Sequence, residues 1–238
     1  MIDTAILLAA GEGSRLRSVA PFKPLCPVAG RPLIAHAIGG LAAAGMARVV
    51  VVLGYGAEAI EEYLAGQAWP IAVETVRVED HRKPNGSSLL AAEAAVGQDE
   101  ALLAMCDHIV EPALYAHVAA AGARGGATLG IDRDLTNDWV DLDDVTCVRS
   151  DGDRIVAIGK GLAGYDCFDT GVFAIGPALF AALRGLDAPS LTEGMRVLAA
   201  RGVAHVVDCG TRKWIDVDDA AALAKAEAWL GQVEDVNS

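Results

Sequence analysis

Short apolar runs closed by glycine alternate along this chain with stretches of helical spacing. Residues 4–10 (TAILLAA) form a continuous apolar run that ends at Gly11 and Gly13, the pattern of a strand buried on both faces of a parallel sheet. RPLIAHAIGGLAAAG follows, with Pro32 near the first helical position and Gly45 placed to cap the C-terminus, which predicts a helix. The alternation continues with strand 48–54, helix 57–64, strand 71–78, helix 87–96, strand 101–106, helix 111–121 and strand 127–131. Over 138–176 the period changes to two, with the turn sequence SDGD, and this predicts an antiparallel excursion. Helices at 177–183 and 191–200, a strand at 204–209 and a last helix at 218–230 complete the pattern, and the tail 231–238 is expected to fray. Repeated β and α units with short connections predict an α/β sandwich on a mostly parallel sheet. No repeat or low-complexity linker divides the chain, so 1–238 is expected to be one domain, with halves at about 1–110 and 111–230.

Composition narrows the function classes. Of the 238 residues, 53% are hydrophobic and 21% charged, which excludes a disordered chain. The net charge of −13 sets up a field that repels nucleic acid and anionic membranes, so neither is an expected partner. Arg15, Arg17, Lys23, Arg31 and Arg48 nevertheless concentrate positive charge in the first 48 residues, compatible with a local anion site. The cysteines, Cys26, Cys106, Cys147, Cys167 and Cys209, include no CxxC pair, and a reducing, cytoplasmic setting is expected. The apolar stretches are too short or too interrupted to insert stably in a bilayer, and no leader pattern opens the chain.

Candidate chemistry begins at GEGSR, residues 11–15. Successive backbone N–H groups after a buried strand can form a concave anion nest, and glycine lets a phosphate approach closely. Arg15 and Lys23 add cations to the same loop. The segment lacks the GxxxxGK[ST] pattern of a Walker loop, and Leu16 stands where a Rossmann fingerprint needs its third glycine. Asp107 follows an apolar strand at the sheet end where open α/β folds bind ligands, and a carboxylate there suits Mg²⁺. A second acid is available at Asp216 or Asp218. The five histidines show no HxH or HExxH spacing, so they are not expected to build a metal site.

LAAGxGSRL followed by KP resembles the signature of the nucleotidyltransferases that join a nucleoside triphosphate to a phosphorylated alcohol or sugar. The resemblance implies a Rossmann-like three-layer α/β/α sandwich with a mixed, mostly parallel sheet. It also implies nucleotide contacts from Leu8, Ala9, Ala10, Gly11, Gly13, Ser14, Arg15 and Lys23, with Arg15 and Lys23 serving catalysis. HRKPNGSSLLAAEA is similar to the family's second nucleotide segment, which would assign Gly86, Ser87 and Ser88, although Asn85 or Ser87 also reads as an ordinary helix N-cap. KWIDVDD resembles the late Trp-x-Asp segment and makes Asp216 the metal partner of Asp107, with Asp218 capping the last helix. IGKGL places Lys160 where the family holds the acceptor phosphate. YDCFDTGVF resembles the acceptor pocket wall, with Asp169 and Thr170 bonding hydroxyls and Gly171 giving room.

Within the family, CDHIVEPALY, DDVTCV followed by DGDRIVAIGKGLAGYDCFDTGVF, and KWIDVDDAAALAKA look like the inositol-1-phosphate cytidylyltransferases. That likeness implies Mg²⁺-assisted transfer of a cytidylyl group from CTP to inositol 1-phosphate, giving CDP-inositol and pyrophosphate. Another sugar-1-phosphate or phosphocholine nucleotidyltransferase is the alternative, the latter weakened by aromatic residues that do not cluster along the chain. A non-catalytic nucleotide-binding regulator is the alternative from a different class, and retention of Arg15, Lys23, Asp107 and Asp216 argues against it.

Overall fold

The computed structural model describes residues 2–236. In chain order its strands are β1 (Thr4–Ala9), β2 (Pro27–Val28), β3 (Arg31–Pro32), β4 (Arg48–Leu53), β5 (Ala72–Arg77), β6 (Ala101–Met105), β7 (His108–Val110), β8 (Ala127–Asp132), β9 (Thr146–Asp151), β10 (Arg154–Lys160), β11 (Cys167–Ile175), β12 (Ala204–Asp208) and β13 (Trp214–Asp216). The helices are α1 (Leu33–Ala43), α2 (Ala57–Ala65), α3 (Asn85–Ala91), α4 (Glu93–Val96), α5 (Pro112–Ala121), α6 (Pro177–Arg184), α7 (Leu191–Ala200) and α8 (Ala220–Val236).

Nine strands form one sheet in the order β5-β4-β1-β6-β11-β8-β12-β10-β9. The first four run parallel, β11 runs antiparallel to both β6 and β8, and β12 is parallel to β8. The mixed α/β sandwich is therefore as expected, with one correction. The 138–176 segment is antiparallel as expected, β9 and β10 forming a hairpin, but its last strand β11 is inserted between β6 and β8 and joins the two halves of the sheet. That strand is buried over nearly its whole length, which period-two alternation in the preceding hairpin does not reveal. β9 pairs back onto the start of β11, Val148 opposite Cys167, so the far edge of the sheet folds onto its own centre.

Successive residues of the central strands feed cores on opposite faces, as the period of two requires. Ala5, Leu7, Val49, Val51 and Leu102 pack with α1, α2 and α5 through Ile38, Ile60 and Tyr115. Ile6, Leu8, Val50, Val52 and Leu103 face α3, α6 and α7 through Leu89, Phe180 and Met195. A third cluster, Leu16, Val28, Leu33, Ile109, Ile215, Val217 and Trp229, lies beneath the loops at the C-terminal end of the parallel strands. It seats a two-stranded sheet of β7 and β13, elements too short to carry a periodicity signal.

The remaining differences are local. Helix 87–96 divides at Ala92 into α3 and α4, and α8 continues through Val236 rather than fraying after 230. Asn237 and Ser238 lie outside the described residues. Gly45 does cap α1, with a left-handed φ of 91°. Among the described residues no helix is long and apolar enough to cross a membrane.

A bulge between Asp169 and Phe173 breaks the β11 register, and Gly171 sits in it with φ +76°. A Cβ there would lie 2.4 Å from His108 Nδ1, so the position combines left-handed backbone with a contact only glycine can make. Gly171→Ala is expected to destabilise by about 1–3 kcal/mol through strain and overpacking, lowering Tm by roughly 3–10 °C. Calorimetry checks this, and an unchanged Tm would show that the bulge relaxes freely.

Candidate active site

The pairing of β1 with β6, Leu8 opposite Met105, brings the loop after β1 and the loop after β6 to one sheet end. Cys106 N–H donates to Leu8 O at 3.0 Å, and Asp107 follows immediately. Across the loop, short 3-10 turns at Ser14–Leu16 and Lys23–Leu25 return the chain so that the Lys23 stem crosses Gly13. A Cβ on Gly13 would lie 2.2 Å from Lys23 Cβ, so that glycine serves the internal packing of the lysine. Gly11 is different. It has ordinary φ and nothing within 4 Å of where its Cβ would stand, so nothing in the chain itself demands a glycine there.

The second acidic arm comes from the small sheet. β13 pairs antiparallel with β7, setting Asp216 opposite His108, and Val217 N–H donates to Asp107 O at 2.9 Å. Three carboxylates thereby surround the Lys23 ammonium, Asp107 at 2.7 Å, Asp216 at 3.9 Å and Asp218 in direct contact. Lys23 is 7% exposed. Its burial opposes the charge, but the carboxylates outweigh burial and hold its pKa above the ordinary lysine value. Asp107, disfavoured as an anion by burial, is carried the other way by Lys23 and then His108, to about 2. Asp218 is pushed up by burial and by Asp216. His108 donates from Nδ1 to Thr170 O at 3.0 Å and turns Nε2 to Asp216 at 3.5 Å. Burial opposes its charge, yet Asp216 and Asp107 raise it to about 9.

Two cavities meet at these groups. A cleft of about 230 Å³ is lined by Leu8, Ala9, Gly11, Gly13, Ser14, Arg15 and Lys23. A larger cavity of about 630 Å³ is lined by His108, Lys160, Asp169, Gly171, Trp214 and Asp216. Asp107 and Asp218 line both. Arg15 bonds Asp218 at 3.1 Å and pairs with Asp144, whose other oxygen pairs with Lys160. In the larger cavity Asp169 accepts from Gly171 N–H at 2.7 Å, and burial pushes its carboxyl up to about 6.

Most of the residues singled out in the sequence therefore converge. Ala10 is buried and gives its carbonyl to Tyr55 N–H. Four expectations need correction. Thr170 is fully buried and its hydroxyl donates to Gly130 O at 2.8 Å, so it is not available to a ligand. Gly86 faces protein, since a Cβ would meet Pro189 O at 2.5 Å, and Ser88 is buried at 6% exposure, leaving Ser87 as the partly exposed member of that trio. Neither Asn85 nor Ser87 caps α3; Asn85 instead accepts from Leu191 N–H at the start of α7. Asp218 belongs to the carboxylate cluster, and Asp219 caps α8 by accepting from Ala222 N–H at 2.8 Å.

Four residues of the site, His108, Asp144, Trp139 and Trp214, had no role in the sequence reading. His108 joins Asp107 and Asp216 in a set of donor atoms within 4.8 Å of one another, which HxH spacing rules cannot detect because β13 supplies one member from over a hundred residues away. Asp144 lies within DDVTCV, a segment that carries part of the resemblance but gives the aspartate no role. Trp139 and Trp214 both line the larger cavity, although they stand apart in sequence. They do not make an aromatic cage, since Trp139 packs on Trp229 at 5.3 Å with Lys213 Nζ 5.5 Å from its ring, and Trp214 stacks on His108.

Comparison with known proteins places this geometry. The chain is 30% identical over 233 residues to the bifunctional IPC transferase and DIPP synthase of Aquifex aeolicus and 32% identical over 228 residues to the protein of the same name from Rubrobacter xylanophilus. These alignments cover 97% and 94% of this chain but 52% and 51% of the relatives, so the chain spans about half the length of the curated relatives it matches. The inositol-1-phosphate CTP transferase from T. maritima shares the fold with a TM-score of 0.83 at 24% identity, covering 95% of this chain and 96% of the other. Residues 5–170 match the MobA-like NTP transferase domain. By that match, which takes in the glycine loop, Lys23, Asp107 and strands β8 to β10, the chain belongs to the MobA-like NTP transferase family.

Proposed function

We propose that this protein transfers a cytidylyl group from CTP to inositol 1-phosphate, releasing pyrophosphate. The observation that carries the reading is the pair of adjoining cavities that share Asp107 and Asp218, one lined by a glycine loop and cations, the other by hydrogen-bonding groups and Lys160. The full-length relatives named as IPC transferases support the choice of nucleotide and acceptor. Occupied cage faces at Trp139 and Trp214 disfavour phosphocholine. The two halves of the sheet act as one domain, and the five buried free cysteines fit a reducing, cytoplasmic setting.

The donor set fits a divalent cation. Asp216 Oδ1 is buried without a hydrogen-bond partner, a costly state that a hard cation would relieve, and Asp107 brings a second oxygen within reach. Asp107 and Asp216 would hold Mg²⁺, which would neutralise phosphate charge and fix the phosphate oxygens. His108, whose pKa Asp216 and Asp107 raise despite its burial, would serve to orient Asp216 through Nε2. In the nucleotide cleft Gly11 admits the phosphates to the backbone, while Arg15 and Lys23 bind them. Lys160 holds the acceptor phosphate and Asp169 accepts from ring hydroxyls. The acceptor phosphate is itself the nucleophile, attacking the α-phosphorus in line with departing pyrophosphate, so the chain need only align the two and offset their repulsion.

A pyrophosphate-release screen of four nucleoside triphosphates against phosphomonoesters is expected to select CTP with inositol 1-phosphate. Turnover of glucose 1-phosphate or phosphocholine alone would overturn the substrate assignment. With the selected pair, Asp107→Asn and Asp216→Asn are each expected to cut kcat on the order of a hundredfold, and EDTA to abolish turnover until Mg²⁺ is restored.

Gly11→Ala is expected to leave Tm unchanged, since its Cβ meets nothing, and to raise the KM for CTP on the order of tenfold. Equal nucleotide kinetics would remove Gly11 from the phosphate site.

Asp169 yields a pH test. Its folded pKa, near 6, lies above the ordinary carboxylate value, so the folded state binds the proton more tightly. Its favourable contribution is complete below the unfolded pKa of about 4 and is lost as pH rises through 6. Asp169→Asn, which keeps an acceptor for Gly171 N–H, is expected to raise Tm by a few degrees at pH 8 and not at pH 4. An equal shift at both pH values would show that Asp169 titrates normally.

A further inference from the structure

The 133–145 connection between β8 and β9 has no regular structure, yet it is braced throughout. Asp134, Asn137 and Asp141 side chains each accept from a backbone N–H two residues on. Trp139 packs against Trp229 of α8, and Lys225 of α8 donates to Asp138 O. The connection is thus anchored to the same helix whose entry carries Asp218 and Asp219. At its end Val145 N–H bonds Asp141 O at 2.8 Å, which closes the turn carrying Asp144, a residue that lines the larger cavity.

Asp144 points one carboxylate oxygen at Arg15 and the other at Lys160. Those cations come from opposite halves of the chain and line different cavities. Both are long and exposed, 52% for the Arg15 side chain and 61% for Lys160, so unrestrained they would sample many rotamers. Lys160 has Asp144 as its ion-pair partner among the described residues, and Arg15 is otherwise tied to Asp218. A guanidinium has five donors and an ammonium three, so pairing with Asp144 leaves each with donors to spare for a phosphate.

We propose that Asp144 is a positioning residue that holds Arg15 and Lys160 at a fixed separation, so that the cations for the two phosphate groups are set before either substrate arrives. This rests on the reading of Arg15 and Lys160 as phosphate ligands. The carboxylate also repels incoming phosphate, but that term acts between solvent-screened charges, whereas losing Asp144 frees two flexible side chains at once. The net effect is therefore weaker binding of both substrates when Asp144 is removed.

The test is Asp144→Asn, with Asp144→Glu as the charge-retaining control. Asp144→Asn is expected to raise the KM for CTP and for inositol 1-phosphate together, each on the order of fivefold to tenfold, with a smaller change in kcat, and Asp144→Glu to restore part of both. In a Lys160→Ala background, Asp144→Asn should no longer affect the acceptor KM while still raising that for CTP through Arg15. A merely structural pair would move neither KM, and a competing anion would lower both; either result overturns the proposal. Calorimetric titration with inorganic pyrophosphate and Mg²⁺ gives a readout independent of turnover. Binding weakened about fivefold by Asp144→Asn supports the proposal even if a different acceptor is turned over, and equal or tighter binding overturns it.

Discussion

Asp107, Asp216 and Asp218 carry like charges to one end of the sheet, where water only partly screens them, and the Lys23 ammonium stands between them. Without that counter-ion the carboxylates would repel one another and take up protons, as the raised Asp218 already indicates. Lys23 in turn could not remain charged at 7% exposure without them. Lys23 and Asp107 each hold the other in its charged form, and a chain of alternating charge runs outward from this centre through Asp218, Arg15 and Asp144 to Lys160.

The fold supplies that cluster through two devices of different scale. Parallel pairing of β1 with β6 brings the glycine loop and Asp107 to the same sheet end, which is the general behaviour of open α/β sheets. The small β7–β13 sheet is specific to this site. Its three registered pairs would be too few to persist alone, but Ile109, Ile215 and Val217 are buried in the cluster under it, and Trp214 donates from Nε1 to the buried Asp132 at 3.0 Å. Apolar burial therefore pins the strand, and the strand sets Asp216 beside His108.

What could be read from the sequence follows from how each feature is encoded. The alternating strands and helices of the first half were legible because continuous apolar runs and Gly or Pro punctuation are local signals. β11 was legible as a strand but not as a central one, since its neighbours are chosen by topology. Gly11, Gly13, Arg15, Lys23 and Asp107 were legible because one loop and one strand end carry them. Asp144, and the place of Asp218 in the cluster rather than at the cap of α8, were not, because an aspartate in a polar loop looks the same whether it caps a helix or meets a lysine from another strand. Thr170 and Gly86 erred the opposite way. Their residue types suited ligand contact, and tertiary packing had already spent the Thr170 hydroxyl on Gly130 and the space at Gly86 on Pro189.

The charge balance of the site also argues for how substrates enter. Arg15, Lys23 and Lys160 are each already paired with carboxylates, so the site holds no idle cation among those three for an arriving phosphate. On the proposed reading a triphosphate and a phosphomonoester bring several further negative charges into a space bordered by four aspartates, and Coulomb repulsion at such separations is not overcome by sharing three cations more thinly. The acids must therefore be turned from repulsive neighbours into ligands, which requires a small, highly charged cation with affinity for oxygen. Asp216, with a buried oxygen that accepts no hydrogen bond and meets Lys23 only at 3.9 Å, is the group that gains most from that change. Lys23 is the group it would release, and Lys23 lies beside the glycine loop, where with Arg15 it would face the phosphate charge.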